Sequence, residues 1–270
     1  MNSPHLRTSL VIATYNWPSA LDLVLKSVLR QSVLPDEIVI ADDGSTSETK
    51  ELIAQYQQVF SIPIRHFWHE DKGYTKTIIL NKAMKTIEND YIIQIDGDVI
   101  LHSKFIEDHI SWRKKDCWLQ GSRVLLGEEI SEEIQKTGQI DFSPFEKDIT
   151  NRLNAIRSPF IRKVFFDKEA FNTETRGCNM SYWAGDFFKV NGFNEDIIGY
   201  SREDSELAAR FTNNGIKKRK LKFGGLQYHI HHEFASRERS SQNISIEQQT
   251  IESGIKYCLN GLKKIEQPVN

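Results

Sequence analysis

Short apolar runs and helical stripes take turns along the first 126 residues. Ser9-Leu10-Val11-Ile12-Ala13 is an unbroken β-type run, the pattern of a strand covered on both faces in a parallel sheet. Pro18 suits the first turn of a helix whose apolar positions Leu21, Val24, Leu25 and Val28 recur at helical spacing. Glu37 to Ala41 predicts a second strand, Thr49 to Val59 a helix, Ile62 to Phe67 an extended segment and Thr75 to Ile87 another helix. Tyr91 to Ile95 predicts a strand, Ser103 to Lys114 a helix and Cys117 to Leu126 a strand. Such alternation with short links is that of a doubly wound α/β sheet.

The pattern loosens between residues 127 and 176, a charged stretch broken by Ser143-Pro144 and Ser158-Pro159, which reads as a helical insertion within the same domain. Order returns at Gly177, with a helix near Asp186 to Val190. A further helix is expected from Ser201 to Asn213, stopped by Asn214-Gly215 as its C-terminal cap. The run Lys217-Lys218-Arg219-Lys220 reads as a solvated turn that could touch anionic lipid. Leu221 to Ile230 reads as a strand interrupted by Gly224-Gly225. Residues 241–270 read as an amphipathic helix with Ile251, Ile255, Leu259 and Leu262 on one side.

Composition narrows the class. The chain is 39% hydrophobic and 27% charged with a net charge of −2, so disorder and a basic nucleic-acid footprint are both disfavoured. Cys117, Cys178 and Cys258 are far apart and form no CxxC pair, which argues against a disulfide framework and fits a reducing cytosol. No segment approaches the ~18 apolar residues of a membrane span, and the N-terminal apolar run is too short for a signal peptide. A cytoplasmic enzyme or binding protein is the expectation.

Four clusters carry candidate chemistry. Asp96-Gly97-Asp98 follows a buried strand, where open α/β sheets bind ligands. Paired carboxylates there suit a hard divalent cation, although Asp and Gly also make ordinary turns. Asp42-Asp43-Gly44-Ser45 and Ala13-Thr14-Tyr15-Asn16 end two further strands at the same edge. They could hold a base and ribose, or serve only as turns with Ser45 or Thr46 as a helix cap. Glu203-Asp204 opens a helix, and Ser201-x-x-Asp204 resembles a capping box. The alternative makes one carboxylate a general base, held ionised by the helix dipole. His229-Ile230-His231-His232 follows a strand and offers ring nitrogens to a metal. Arg237 and Arg239, just beyond, could sit over phosphates.

In this order, VIATYN, ADDGS, QIDGD, the block RGCNMSYWAGDFFKVNGFNEDIIGYSREDSELAAR and YHIHH resemble a family 2 glycosyltransferase. The likeness runs over roughly residues 7 to 235 and is to chondroitin-polymerase-like and β-1,4-galactosyltransferase-like enzymes. It implies a GT-A fold, a doubly wound mixed sheet with helices on both faces. Residues 1–126 would be the nucleotide-sugar-binding half, 127–240 the acceptor-binding and catalytic half, and 241–270 the C-terminal helix. By resemblance, Thr14, Tyr15, Asp42 and Asp43 would hold uridine, Asp96 would reach the ribose or metal, and Lys76 would approach the pyrophosphate. Asp98 would ligate Mn2+ or Mg2+, with His232 or His229 completing the shell. Asp204 would be the catalytic base and Glu203 would bind the acceptor. One departure stands out: the family's Gly-Trp-Gly before the acidic pair reads Gly199-Tyr200-Ser201 here, a smaller platform for a sugar.

The expected reaction is a single displacement with inversion, moving a hexose or N-acetylhexosamine from a UDP-sugar to a saccharide acceptor. The resemblance implies surface polysaccharide synthesis, with a lipid-linked acceptor at the inner membrane face and at most peripheral membrane contact. Three rivals make different demands. A sugar nucleotidyltransferase needs a basic glycine-rich loop after the first strand, which ATYNWPSA lacks. A non-catalytic nucleotide-sugar-binding protein would tolerate loss of Glu203 and Asp204. A zinc hydrolase at the histidines would work without UDP.

Overall fold

The computed structural model describes residues 6–166, 168–233 and 239–264. The first half delivers the expected alternation: β1 (Thr8–Thr14), α1 (Pro18–Leu29), β2 (Glu37–Asp42), α2 (Ser47–Val59), β3 (Ile64–Trp68), α3 (Lys76–Met84) and β4 (Tyr91–Asp96). A short β5 (Val99–Leu101), α4 (Phe105–Trp112) and β6 (Cys117–Gly121) follow. Next come β7 (Val124–Leu126), α5 (Glu128–Thr137), β8 (Ile149–Thr150), α6 (Pro159–Ile161) and β9 (Glu169–Ala170). The last third holds β10 (Asn179–Trp183), α7 (Ala184–Lys189), α8 (Glu203–Asn213), β11 (Lys217–Leu221), β12 (Gln227–His229) and α9 (Ser240–Glu252).

The main sheet has eight strands in the order β3-β2-β1-β4-β10-β6-β11-β9. β1 to β4 run parallel, β10 runs antiparallel between β4 and β6, and β11 is parallel to β6. Alternation along β1 divides the core. Leu10 and Ile12 pack with Leu21 and Val24 of α1, Ile53 of α2 and Phe105 of α4. Val11 and Ala13 face Ile79 and Leu80 of α3, Phe187 of α7 and Phe211 of α8. Helices therefore cover both faces, and strands buried on both faces need the continuous apolar runs seen in the sequence. A second sheet, β5-β12-β7-β8, packs Ile100, Val124 and Tyr228 against Ile130 and Ile134 of α5.

Several elements differ from expectation. The run 117–126 divides into β6 and β7, which belong to different sheets. Gly121 lies at the break, where an added Cβ would fall 2.0 Å from Asn179 Oδ1. The 221–230 stretch divides likewise between β11 and β12. Residues 217–220 are no solvated turn and offer no turn to a lipid surface: they form β11, paired in register with β6. Lys218 and Arg219 are buried, and the Lys218 ammonium lies 5.3 Å from the centre of the Trp118 ring. Long aliphatic stems let a basic run enter a sheet while its charged heads find polar or aromatic partners. The C-terminal helix stops at Glu252, before Gly254 at φ +62. Ile255, Leu259 and Leu262 thus lie beyond it, and Ile251 is exposed. The cap at Asn214-Gly215 is as expected, with Gly215 at φ +81 and the Ile216 N–H donating to the Phe211 carbonyl. Among the described residues no helix is long and apolar enough to cross a membrane.

Candidate active site

Parallel strands deliver their last residues to one edge of a sheet, and in an α/β fold ligands gather there. β1, β2 and β4 bring Thr14, Asp43 and Asp96 to that edge. Because β10 runs the other way, pairing Asn179 with Ile95, its leading residues 176–178 arrive at the same edge. β11, parallel to β6, brings Lys220 there too. The result is a cavity of about 1370 Å³ lined by Thr14, Tyr15, Asp43, Lys76, Asp96, Asp98, Glu203, Asp204, His229 and His232. Ten of the eleven expected site residues line it. The exception is Asp42, whose fully buried carboxylate accepts from the Ser45 N–H at 2.8 Å and lies 2.9 Å from His66 Nε2. It builds the loop after β2 and does not face a ligand.

At the end of the cavity formed by β1 and β2, Asp43 is held by Thr75, which donates its N–H at 2.9 Å and its hydroxyl at 2.7 Å, and by His69 at 2.8 Å. Tyr15 is half-exposed and donates to Asp71 Oδ2 at 2.8 Å, leaving a ring face open for stacking. Thr14 packs on Gly97, where an added Cβ would sit 2.9 Å from Thr14 Oγ1. Glycine between the two aspartates is therefore a packing requirement.

The aspartates of Asp96-Gly97-Asp98 turn different ways. Asp96 pairs with Lys76, Nζ to Oδ1 at 2.8 Å, and the same ammonium lies 3.6 Å from Glu203 Oε1. Burial opposes that charge, but Asp96, Tyr74, Asp204 and Glu203 outweigh it and hold Lys76 firmly protonated. Lys76 thus clamps the strand-end carboxylate to the acidic pair of α8. Asp98 instead faces the histidines: Oδ2 is 3.2 Å from His232 Nε2 and 3.7 Å from His229 Nε2. Donor atoms of Asp98, His229 and His232 lie within 4.8 Å of one another. Burial alone would raise the Asp98 carboxyl, yet the hydrogen bond with His232 and the charge of both histidines keep it below its ordinary value.

These residues fit a divalent cation. Asp98 Oδ1 is buried with no hydrogen-bond partner, a costly condition unless a ligand meets it. His232 Nδ1 lies 2.6 Å from the Glu233 carbonyl. Donation there fixes the ring's orientation, and the Nε2 that faces Asp98 Oδ2 would present its lone pair to a metal on losing its proton. Ring nitrogens of both histidines come within reach of Asp98, so the geometry groups the two with it as one candidate set of three.

Across the cavity stands Asp204. Oδ2 accepts from the Gly177 N–H at 2.8 Å, and Oδ1 from Gln94 Nε2 at 3.3 Å. Gln94 is oriented by the Tyr182 hydroxyl, which donates to its Oε1 at 2.6 Å. The contact with Gly177 leaves no room for a side chain: a Cβ there would lie 2.2 Å from both Asp204 oxygens. Two expectations about this corner fail. No capping box forms, because Ser201 and Arg202 take φ +90 and +77 and Arg202 is the cap residue, with no side-chain bond to the helix's first N–H groups. Nor does the helix dipole hold Asp204 ionised. Burial first, then the neighbouring Glu203, push its carboxyl up to about 7 against the pull of Lys76. Tyr200 meets Tyr74 edge-on, ring centres 6.1 Å apart, at the rim above the pair.

Arg239 is exposed beside Gly199 and does not line the cavity, and Arg237 lies outside the described residues. Reasoning from sequence missed Gln94, Gly177, Arg123, Arg176, Lys218 and Lys220. Gln94 did leave a signal, as the one amide inside the apolar strand Tyr91–Asp96.

The chain matches the model of Glycosyl transferase family 2 over residues 9–169, and that of the N-terminal domain of galactosyltransferase over residues 160–233. It is 26% identical over 223 residues to validoxylamine A glucosyltransferase of Streptomyces hygroscopicus subsp. limoneus, covering 77% of this chain and 48% of that protein. It is 25% identical over 255 residues to chondroitin synthase of Pasteurella multocida, covering 82% of this chain and 24% of that protein. The chain thus spans about half of one curated relative and about a quarter of the other. Among solved structures, mannosyltransferase PcManGT from Pyrobaculum calidifontis in complex with GDP-Man and Mn2+ superposes with TM-score 0.64 at 14% identity, over 92% of this chain and 64% of that one. S. aureus TarS 1-349 in complex with UDP gives TM-score 0.61 at 16% identity, over 90% and 64%. These structural likenesses establish the GT-A fold.

Proposed function

The chain belongs to glycosyl transferase family 2, and from that premise we propose a metal-dependent, inverting transfer of a hexose or N-acetylhexosamine from a UDP-sugar to a saccharide acceptor. The observation that carries this reading is one cavity with an Asp98–His229–His232 donor set on one side and the partly buried Asp204 carboxyl, pushed up to about 7, on the other. Two imidazoles in the set favour Mn2+ over Mg2+, which prefers an all-oxygen shell. Bound there, a divalent ion acts as a Lewis acid on the departing diphosphate, worth several kcal/mol.

The chain's own residues supply the rest. Thr14, Tyr15 and Asp43 hold the nucleoside, with Asp43 in the role that the buried Asp42 cannot reach. Lys76 is committed to Asp96 and Glu203. Beside Lys76, the cation we assign to the diphosphate is Arg123, which lines the cavity with a buried Nε that lacks a hydrogen-bond partner. Asp204, aimed by Gln94 and Gly177, takes the proton of the attacking acceptor hydroxyl. The Cys178 thiol in the same wall is pushed up to about 12 by burial and stays protonated, which disfavours it as a nucleophile and supports single displacement. Surface polysaccharide synthesis, with a lipid-linked acceptor at the cytoplasmic membrane face, fits this chemistry.

The test is calorimetric titration of UDP with and without Mn2+, on the wild type and on Asp98→Ala. Micromolar binding that needs both the metal and Asp98 is expected. Failure of UDP to bind with Mn2+ present would overturn the uridine assignment.

A further inference from the structure

The cavity's two sides carry their cations differently. On the α3 and α8 side each has a carboxylate: Lys76 has Asp96 and Glu203, and Arg202 has Glu247 at 3.0 Å. On the β6–β11 wall this is not so. Lys218 and Lys220 are two apart on β11 and so share one face of the strand, in register with Trp118 and Gln120 of β6. Gln120 pins the facing loop, accepting from the Arg176 N–H at 3.1 Å and donating to the Arg176 carbonyl at 3.2 Å. That brings Arg176 to the same wall, one residue from the Gly177 N–H that holds Asp204. Arg176, Lys218 and Lys220 all line the cavity, and among the described residues none of them is ion-paired to a carboxylate. Lys218 is only 4% exposed and spends its ammonium on the Glu174 carbonyl and the Trp118 ring.

We propose that this wall is a subsite for an anionic group, a carboxylate or a phosphate, carried by the acceptor saccharide, with Arg176, Lys218 and Lys220 as its cations. The inference rests on the function proposed above. Crowding of like charge adds to it: burial, then Lys220, with Glu174 opposing and Arg176 a smaller contributor, bring the Lys218 ammonium down to about 8, and an anion beside Lys220 and Arg176 would relieve the repulsion. Distance separates this subsite from the donor's diphosphate. Asp96 ends β4, and β11 is three strands farther along the sheet, about 14 Å at ~4.8 Å per strand. The subsite adjoins the base, so the anion belongs to the acceptor ring or its neighbour.

The test uses protein saturated with UDP and Mn2+, titrated by NMR with methyl β-D-glucuronide, α-D-glucose 1-phosphate and the neutral methyl β-D-glucoside. Wild type, Arg176→Gln and Lys220→Gln are compared; both positions are exposed, and surface substitutions usually change stability little. At least one anion is expected to bind about tenfold more tightly than the glucoside, the scale of one charge-assisted hydrogen bond. Each variant should shrink that preference while leaving UDP affinity unchanged. Preference for the glucuronide alone assigns a uronic acid acceptor, and preference for the sugar phosphate alone assigns a phosphorylated one. UDP binding with no anion preference, or a preference that survives in both variants, would overturn the inference and leave the transferase reading standing. Failure of the wild type to bind UDP would remove both.

Discussion

Replacing Asp204 by Asn separates a catalytic base from a structural carboxylate, because the two roles move rate and stability in opposite directions. The carboxyl sits at about 7 in the folded protein against an ordinary 3.8. Three units at 1.36 kcal/mol each put the cost of ionising it in place at about 4 kcal/mol. The sign follows from linkage: below pH ~4 the group is neutral folded or unfolded, and the penalty grows as pH rises through about 7. Asn keeps an acceptor for the Gly177 N–H and carries no charge. Asp204→Asn should therefore melt at or above the wild-type temperature at pH 8, and converge with it at low pH. Activity should go the other way, with kcat falling about 10²–10⁴-fold, the scale of a positioned base. In the wild type, kcat/KM should rise about tenfold per pH unit up to near 7 and then level off, and this acid limb should vanish in the variant. The assays are sugar transfer from the UDP-sugar across pH 5.5–8.5 and thermal melts at the same pH values. A wild-type profile flat from pH 5.5 to 7, or near-normal turnover in a folded Asp204→Asn protein, would refute the assignment.

Three further outcomes are expected. Gly177→Ala forces a Cβ to within 2.2 Å of both Asp204 oxygens. It should lower kcat by about 10²-fold, the effect of an ångström-scale misplacement, while calorimetric UDP affinity stays as it was. Arg123→Gln should weaken UDP binding about tenfold in the presence of Mn2+ without changing uridine binding; equal losses for both ligands would make Arg123 a structural residue. Arg210→Met removes a guanidinium that is fully buried, bidentate to Glu206 at 2.9 and 2.6 Å and bonded to the Val190 and Gly192 carbonyls. Denaturant unfolding should show a loss of about 3–5 kcal/mol, since Glu206 is left buried and unpaired.

How far the sequence could be read depended on whether a residue's role was local. β1, β2 and β4 were legible because a doubly covered strand must be apolar throughout, and the carboxylates following them were legible because strand ends collect at one edge. The His229–His232 set could be named but not resolved. Which ring faces Asp98 depends on β12 pairing with β5 and β7, both contacts between segments over 100 residues apart. The basic run 217–220 was misread for a related reason: charge patterning alone signals solvent, and only the partner Trp118, supplied by a distant strand, makes burial tolerable. Asp42 and Asp43 are adjacent and chemically identical, yet successive residues point to opposite sides. The one that received His66 and Ser45 became part of the scaffold, while its neighbour faces the cavity. The protonation of Asp204 was out of reach too, because a helix N-terminus predicts an ionised acid and only the packed surroundings reverse that.

The corner from Ser201 to Asp204 departs most from what local rules prefer, and its neighbours explain how it persists. Ser201 and Arg202 both hold left-handed backbone, at roughly 1–2 kcal/mol each for residues other than glycine. The next two residues are acids side by side, Glu203 buried and Asp204 partly so, and the Asp204 carboxyl is pushed up to about 7. A segment so unfavourable survives only where the surrounding structure over-determines it. Asn243 donates to the Ile198 and Ser201 carbonyls at 3.1 Å each, tying the loop to α9. Arg202 reaches Glu247 of the same helix, and Lys76 neutralises the acidic pair from below. One turn into α8, the Glu206–Arg210 pair locks the helix to the carbonyls at 190 and 192. α9 is thus the brace that holds a strained pair of adjacent acids at the cavity. Its short length ending at Glu252 matches that task, since Asn243, Glu247 and Thr250, the buried positions on its inner face, span the three contacts the corner requires.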